Sequence, residues 1–165
     1  VLLLVLAGCA GSSGTETPTP REHSLSVSVS NEHGVTYDVW VTAVPAEVEG
    51  VEVTYENGST SRYDVSSFDA LPRTALRNAT ALTTGSAEER SRTFTVGPSE
   101  GFGTTLDDVP ANAPVVYFVV PERGPTEIRG AGAVHCAPTT ENTDLALRIR
   151  PDGSLHASLT CRDDP

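Results

Sequence analysis

The stretch LALRIRPDGSLHASLTC, at residues 145–161, decides the fold. Apolar side chains at positions 145, 147 and 149 alternate with other residues, and positions 155, 157, 159 and 161 do the same after a Pro-Asp-Gly turn. An alternation of period two is typical of a strand with one buried and one solvated face. The stretch therefore predicts a β-hairpin that carries Cys161 on its apolar face.

Similar patterns recur upstream. SLSVSVS at residues 24–30 alternates serine with Leu or Val, and VTYDVWVTAV at residues 35–44 also alternates. Residues 51–65 form the clearest hairpin, since Asn57-Gly58 supplies the positive φ angles that a type I′ turn requires. VVYFVV at residues 115–120 is apolar at every position, which predicts a central strand that is buried on both faces.

Two segments depart from simple alternation. Residues 68–82 place Leu and Ala at helical spacing, with Pro72 near the start, and predict one short helix or helical crossover. Residues 126–136 are rich in Gly and Ala and predict a strand with a bulge. Eight or nine short strands with no alternation of strands and helices predict a mainly β fold. We expect an antiparallel β-sandwich with one short helix over residues 23–165.

The charge of the chain limits its partners. Its formal net charge is −11, and all 11 basic residues are Arg because Lys is absent. Such a surface repels nucleic acid and anionic membranes, since both are bound through clusters of basic side chains. Excess carboxylates are typical of a halophilic protein, because they hold water while molar salt reduces the screening length to about 3 Å. A GC-rich genome would explain the missing Lys but not the acid excess.

The amino-terminal residues indicate export. Residues 1–7 are apolar but far too few to cross a bilayer, which takes about 20 residues. Leu6-Ala7-Gly8-Cys9 resembles the lipobox of secreted lipoproteins, in which the chain is cut before the cysteine and the thiol carries a lipid. AGSSGTETPTPRE follows and predicts a flexible tether of about 20 Å. We therefore expect a partial signal peptide at 1–8 and a lipidated Cys9 with its tether at 9–22, with Sec or twin-Arg export left open.

The three cysteines fit this interpretation. If Cys9 takes the lipid, Cys136 and Cys161 remain as a pair in an oxidising compartment. A disulfide between them would stabilise the fold by about 3 kcal/mol in the chain-entropy model. Their spacing is also compatible with two buried free thiols.

Together, the lipobox, the acidic lysine-free body and the hairpin at 145–161 resemble haloarchaeal surface lipoproteins with an immunoglobulin-like body. The resemblance implies an immunoglobulin-like sandwich on the extracellular face of the cell membrane, held there by lipid. It implies no particular activity. Immunoglobulin domains place a Trp between two paired cysteines, whereas Trp40 precedes both Cys136 and Cys161, so the likeness is architectural.

Metal centres fit the sequence poorly. A blue-copper site takes two His, one Cys and usually an axial Met, but the chain has no Met, and adjacent His135 and Cys136 point to opposite faces of a strand. His135 and His156 alone are too few ligands for structural zinc. We predict neither a metal nor a cofactor.

The sequence also lacks familiar catalytic motifs. It contains no nucleophile elbow, P-loop, dinucleotide-binding turn or HExxH. The acidic pairs Asp107-Asp108 and Glu88-Glu89 are placed in loops, where carboxylates are usually solvated. We therefore predict a protein that is not an enzyme, with a cell-surface hydrolase built on loop carboxylates as one alternative and an accessory of a transport system as another.

Three residues are candidates for contact or modification. Trp40 lies opposite the Val stripe of its strand, where it would stack on a sugar or anchor a partner unless a second layer covers that face. Asn57-Gly58-Ser59 and Asn78-Ala79-Thr80 are N-glycosylation sequons. The sequence thus favours a non-catalytic surface module that binds a protein or glycan partner or contributes to the envelope.

Overall fold

The computed structural model describes residues 22–87, 89–110, 113–122, 130–136 and 140–163. The predicted signal peptide, Cys9 and most of the predicted tether lie outside the described residues. Eleven strands are described: β1 Glu22–Asn31, β2 Tyr37–Ala43, β3 Val51–Tyr55, β4 Thr60–Tyr63, β5 Ala79–Thr83, β6 Arg90–Val96, β7 Gly101–Pro110, β8 Val115–Pro121, β9 Gly130–Val134, β10 Thr140–Ile149 and β11 Leu155–Asp163.

The strands form three sheets, which we call the front, middle and back sheets. The front sheet has the order β11-β10-β1-β7, the middle sheet β6-β2-β8-β9 and the back sheet β4-β3-β5. Each face of the middle sheet borders a separate hydrophobic core. The mainly β prediction is therefore confirmed, but eight or nine strands was too few, and the sandwich carries a third layer.

The predicted helix over residues 68–82 is wrong. Two 3₁₀ turns, Phe68–Ala70 and Arg73–Leu76, replace its first part, and β5 replaces its last. Leu71 and Pro72 have ψ of 127° and 131°, outside the helical range. Leu71 is extended because proline disfavours helical geometry in the residue before it. We call residues 68–76 the 3₁₀ segment.

One pair of strands corrects the prediction of a wholly antiparallel fold. β1 runs parallel to β10, with Val27 opposite Leu145 and Val29 opposite Leu147. Parallel neighbours need a long connection, and here the whole middle sheet lies between them in the chain. Both strands thus direct their alternating Val and Leu side chains into the same core.

The prediction for residues 115–120 is confirmed, because β8 lies inside the middle sheet and is apolar on both faces. Val115 and Val119 belong to the core between the front and middle sheets. Val116 and Phe118 belong to the core between the middle sheet and the back layer. All four side chains are at most 2% exposed.

Two local predictions need correction. At the β3–β4 hairpin, Gly58 has a φ of +77° but Asn57 is outside the left-handed region, so the turn is not type I′. The Gly58 N–H donates to Tyr55 O at 2.9 Å, and the Tyr55 N–H donates to Ser59 O, as in a turn followed by a glycine bulge. In β9, the register with β8 is unbroken from Gly130 to Val134, so the predicted bulge is absent there.

The predicted disulfide is confirmed: Cys136 and Cys161 are bonded, with their Cα atoms 5.7 Å apart. Cys136 follows β9 at the edge of the middle sheet, and Cys161 lies in β11 at the edge of the front sheet. The bond therefore joins the two larger sheets along one side of the sandwich.

Asn31, the last residue of β1, joins three segments of the chain. Its side chain is 1% exposed, and its amide nitrogen donates to Val35 O at 2.8 Å, Gly97 O at 2.9 Å and Val96 O at 3.3 Å. Its Oδ1 accepts the His33 N–H at 3.0 Å. A buried amide with this many partners links the end of β1 to the start of β2 and to the turn after β6.

We expect Asn31→Asp to lower the free energy of unfolding by about 3 kcal/mol, because the buried carboxylate oxygen that replaces Nδ2 would face three carbonyl oxygens. Chemical denaturation in molar salt measures the change. Asn57→Asp is the matched control, since Asn57 is exposed and Asp152 occupies the equivalent place in another hairpin. Its effect should stay below about 0.5 kcal/mol, and equal losses in the two variants would contradict the assignment.

Candidate functional site

The back face of the middle sheet carries Trp40. Across the four strands, Thr93, Trp40, Phe118 and Ala131 lie opposite one another. Directly opposed residues share a face of the sheet, so this row points toward the back layer. The row ends in exposed residues at both edges, Thr93 and Ala131, while Phe118 in its middle is buried.

Trp40 is half-buried and packs against the core behind the middle sheet. Its ring centroid lies 5.1 Å from that of Phe118, with the planes tilted by 37°. The sequence left open whether a second layer covers this face. That layer is present, and it covers Trp40 in part. The packing holds the indole in place and leaves part of it accessible to solvent.

Polar side chains adjoin Trp40 on the uncovered part of this face. Asp38 is exposed, and its Oδ1 accepts a hydrogen bond of 2.7 Å from Thr95 Oγ1. Thr93 lies directly opposite Trp40 and is exposed as well. We call Asp38, Trp40, Thr93 and Thr95 the open face. It combines an aromatic surface with one carboxylate and two hydroxyls, which can accept and donate hydrogen bonds.

A groove lies on the same side of the sheet, beside β9. Its volume is about 420 Å³, and it separates the 3₁₀ segment from the edge of the middle sheet. Its lining combines apolar and charged side chains and comprises Phe68, Asp69, Leu71, Pro72, Arg73, Leu76, Ala131, Gly132, Ala133 and His135. On the β9 side, Ala131 and Ala133 contribute only methyl groups to this lining.

The glycines of β9 are explained by its opposite face. A Cβ atom on Gly132 would overlap the hydroxyl of Tyr117, and one on Gly130 would overlap the Leu155 side chain. Tyr117 packs against the core between the front and middle sheets, and burial raises the pKa of its hydroxyl. Glycine at 132 thus makes room for the Tyr117 ring.

The histidines considered as metal ligands lie in different places. His135 is at the rim of the groove, with its Nδ1 3.9 Å from Asp69 Oδ1. His156 lies in β11 opposite Arg148 in the front sheet. Within the described ranges, no group of three or more His, Cys, Asp or Glu residues could hold a metal ion.

The acidic pairs have structural roles. Asp107 and Asp108 lie in β7 and not in a loop, which corrects the prediction. They occupy a register shift opposite the stretch of β1 between His23 and Leu25, where Asp108 has a φ of +55°, as an irregular strand position requires. Glu88 lies outside the described residues. Glu89 Oε2 accepts hydrogen bonds from the Thr84 N–H at 2.8 Å and Oγ1 at 2.9 Å.

Reasoning from the sequence identified Trp40 but missed the groove. The apolar spacing of residues 68–82 predicts a helix and gives no sign of a cavity wall. The small side chains of β9 likewise predict a bulge and not a cavity wall. Only the tertiary contact between these segments, about 60 residues apart, shows that together they border a cavity.

The sequence matches, over residues 1–164, the model of a family described as "Halobacterial Ig domain protein". No curated protein matches it. In the part of the chain that the structure describes, no helix has the length and apolar character needed to cross a membrane.

We expect Gly132→Ala to lower the free energy of unfolding by about 1–3 kcal/mol, because the added methyl group displaces the Tyr117 ring from a packed site. Thermal and chemical denaturation measure this loss. The control is Gly34→Ala, since a Cβ on Gly34 has no atom within 4 Å and its φ is not positive. That variant should be neutral or slightly stabilising. Similar losses in both variants would argue against the close approach of β9 and Tyr117.

Proposed function

The chain belongs to the halobacterial Ig domain protein family, and from this premise we propose that it is an exported, non-catalytic binding module held at the cell surface by a lipid on Cys9. Membership of an Ig-like family suggests a structural or binding module. The lipid anchor and the ligand are our proposals. The observation that carries export and the anchor is the pairing of Cys136 with Cys161, and the observation that carries the ligand is the open face.

The disulfide supports export and an anchor. Disulfides form and persist in oxidising compartments, so the Cys136–Cys161 bond favours a domain that functions outside the cytoplasm. The bond uses two of the three cysteines in the chain, which leaves Cys9 for a lipid. Because the net charge of −11 disfavours contact with an anionic membrane, attachment there would depend on the covalent lipid.

The open face supports a binding role. A sugar ring has C–H groups on its faces and hydroxyls around its rim, so it is complementary to an aromatic ring flanked by hydrogen-bonding groups. Trp40 supplies the ring, and Asp38, Thr93 and Thr95 supply the polar groups. All four lie on adjacent strands of one sheet, so little ordering is needed when a ligand binds. We therefore propose a glycan as the ligand of the open face.

The alternatives from the sequence have less support. A hydrolase would need free, converging carboxylates, but Glu89 is engaged by Thr84, and Asp107 and Asp108 occupy a strand irregularity. No contact among the described residues specifically favours an accessory role in transport. The open face thus remains the surface on which the proposal rests.

We expect Cys9→Ser to move the full-length protein from the membrane fraction to the soluble or medium fraction of a haloarchaeal host. Loss of the thiol removes the atom that would carry the lipid, and a domain with a net charge of −11 is repelled by anionic lipids. Fractionation in molar salt with immunoblotting measures the distribution.

Cys136→Ser is the matched control, since it also replaces one cysteine by serine but leaves the proposed anchor, although it breaks the disulfide. It should stay with the membrane. Retention of Cys9→Ser on the membrane would exclude the lipid anchor. Alkylation of Cys136 and Cys161 in the wild type without reduction would remove the support for export.

We expect a panel of neutral and acidic hexose oligosaccharides to include one that raises the melting temperature in molar salt. A ligand at 100 times its dissociation constant adds about 2.7 kcal/mol of stability. The shift should disappear in Trp40→Leu, which removes the stacking surface. It should persist in Phe102→Leu, because Phe102 is an aromatic residue, 40% exposed, on β7 of the front sheet. No shift with any sugar, or an equal shift in Trp40→Leu, would contradict glycan binding at the open face.

A further inference from the structure

The sequon at Asn57 lies in an exposed, hydrogen-bonded turn. Asn57, Gly58 and Ser59 are all exposed. Asn57 Oδ1 accepts hydrogen bonds from the Ser59 N–H at 2.9 Å and from Ser59 Oγ at 2.6 Å. Both hydrogen bonds use the oxygen of the carboxamide. The Nδ2 atom is thus directed to solvent, with the hydroxyl of its own sequon already beside the amide.

The sequon at Asn78 has a different geometry, although Asn78 itself is exposed. Ala79 is 4% exposed and lies in the core behind the middle sheet. Thr80 lies in β5 at the register shift against β3, and its Oγ1 donates to Thr54 O at 3.4 Å. In the folded chain, the second and third residues of this sequon are therefore committed to strand β5.

A second turn reproduces the geometry of the Asn57 turn with an acid in place of the amide. Asp152 Oδ1 accepts the Ser154 N–H at 2.9 Å and Ser154 Oγ at 2.6 Å, and Gly153 has a φ of +78°. These hydrogen bonds from Ser154 lower the pKa of Asp152. Replacing one carboxylate oxygen of Asp152 by an amide nitrogen, as in Asp152→Asn, would turn Asp152-Gly153-Ser154 into a sequon. This turn therefore serves as a comparison site.

We propose that Asn57 accepts an N-linked glycan on the folded domain and that Asn78 does not. The inference rests on the proposed export, because sequons are used in exported chains. Asn57 Nδ2 bonds to the anomeric carbon of a sugar, and the bond between that carbon and the phosphate of a lipid-linked sugar donor breaks. One amide proton passes to a base of the transferring enzyme. The conformation of the folded turn, and not only the presence of a sequon, determines which asparagine is modified.

Glycopeptide mass spectrometry of the full-length protein from a haloarchaeal host tests this directly. Trypsin cleaves after Arg62, Arg77 and Arg90, so residues 78–90 carry the Asn78 sequon on a peptide separate from the Asn57 sequon. We expect glycan mass on the peptide with Asn57 and none on residues 78–90. Asn57→Gln should remove all N-linked mass, and Asn78→Gln should change nothing.

The gain-of-site variant Asp152→Asn tests the reason for the selection. It creates a sequon in the same turn geometry, so we expect a second glycan on the reduced tryptic peptide 149–162. Ser154→Ala in that background should remove the added mass. Modification of Asn78 in the wild type, or an unmodified Asp152→Asn variant, would overturn selection by the folded turn.

The controls separate this inference from the proposed export. A membrane-bound wild type whose Cys136 and Cys161 resist alkylation, but whose Asn57 carries no glycan, would refute the glycosylation site alone. Free thiols together with a soluble, unmodified protein would refute export and, with it, the glycan. Ser59→Thr keeps the sequon hydroxyl and should keep the glycan, while Ser59→Ala should lose it.

Discussion

The burial of both faces of β8 is the constraint on which the other layers depend. Val115 and Val119 need a cover on one side, and Val116 and Phe118 need one on the other. Each fully buried side chain of this size contributes about 1.5–3 kcal/mol, so leaving either face in water would destabilise the domain severely. The front sheet covers one face. The back sheet and the 3₁₀ segment cover the other, and their incomplete coverage creates the open face and the groove.

The two larger sheets are also joined at both of their sides. On one side, Phe94 of β6 stacks on Phe102 of β7, with ring centroids 4.3 Å apart. On the other, the Cys136–Cys161 disulfide connects the end of β9 to β11. Edge strands with exposed backbone groups invite pairing with other chains. Linking the edges of the front and middle sheets holds these strands against each other, and the acidic charge adds repulsion between copies.

Local patterns in the sequence predicted what depends on local physics. Alternation located the strands around residues 24–30, 51–65 and 145–161, and cysteine counting gave the disulfide. Features that depend on distant segments were missed or misread. These are the parallel pairing of β1 with β10, the third layer, and the 3₁₀ segment, whose apolar residues pack into the core behind the middle sheet without forming an α-helix. The type I′ prediction failed for a local reason instead, because the hydrogen bonds of Ser59 to Asn57 accompany another turn.

The candidate site also depends partly on local sequence and partly on distant segments of the chain. Trp40 was identifiable as the single Trp of the chain, but its setting depends on register across three strands. A binding residue in the interior of a sheet is held by hydrogen-bonded neighbours on both sides and by packing against Phe118. It therefore loses little conformational freedom when a ligand arrives, unlike residues on mobile loops. For the proposed glycan, specificity would accordingly come from a preformed surface, through the placement of Asp38, Thr93 and Thr95 beside the indole.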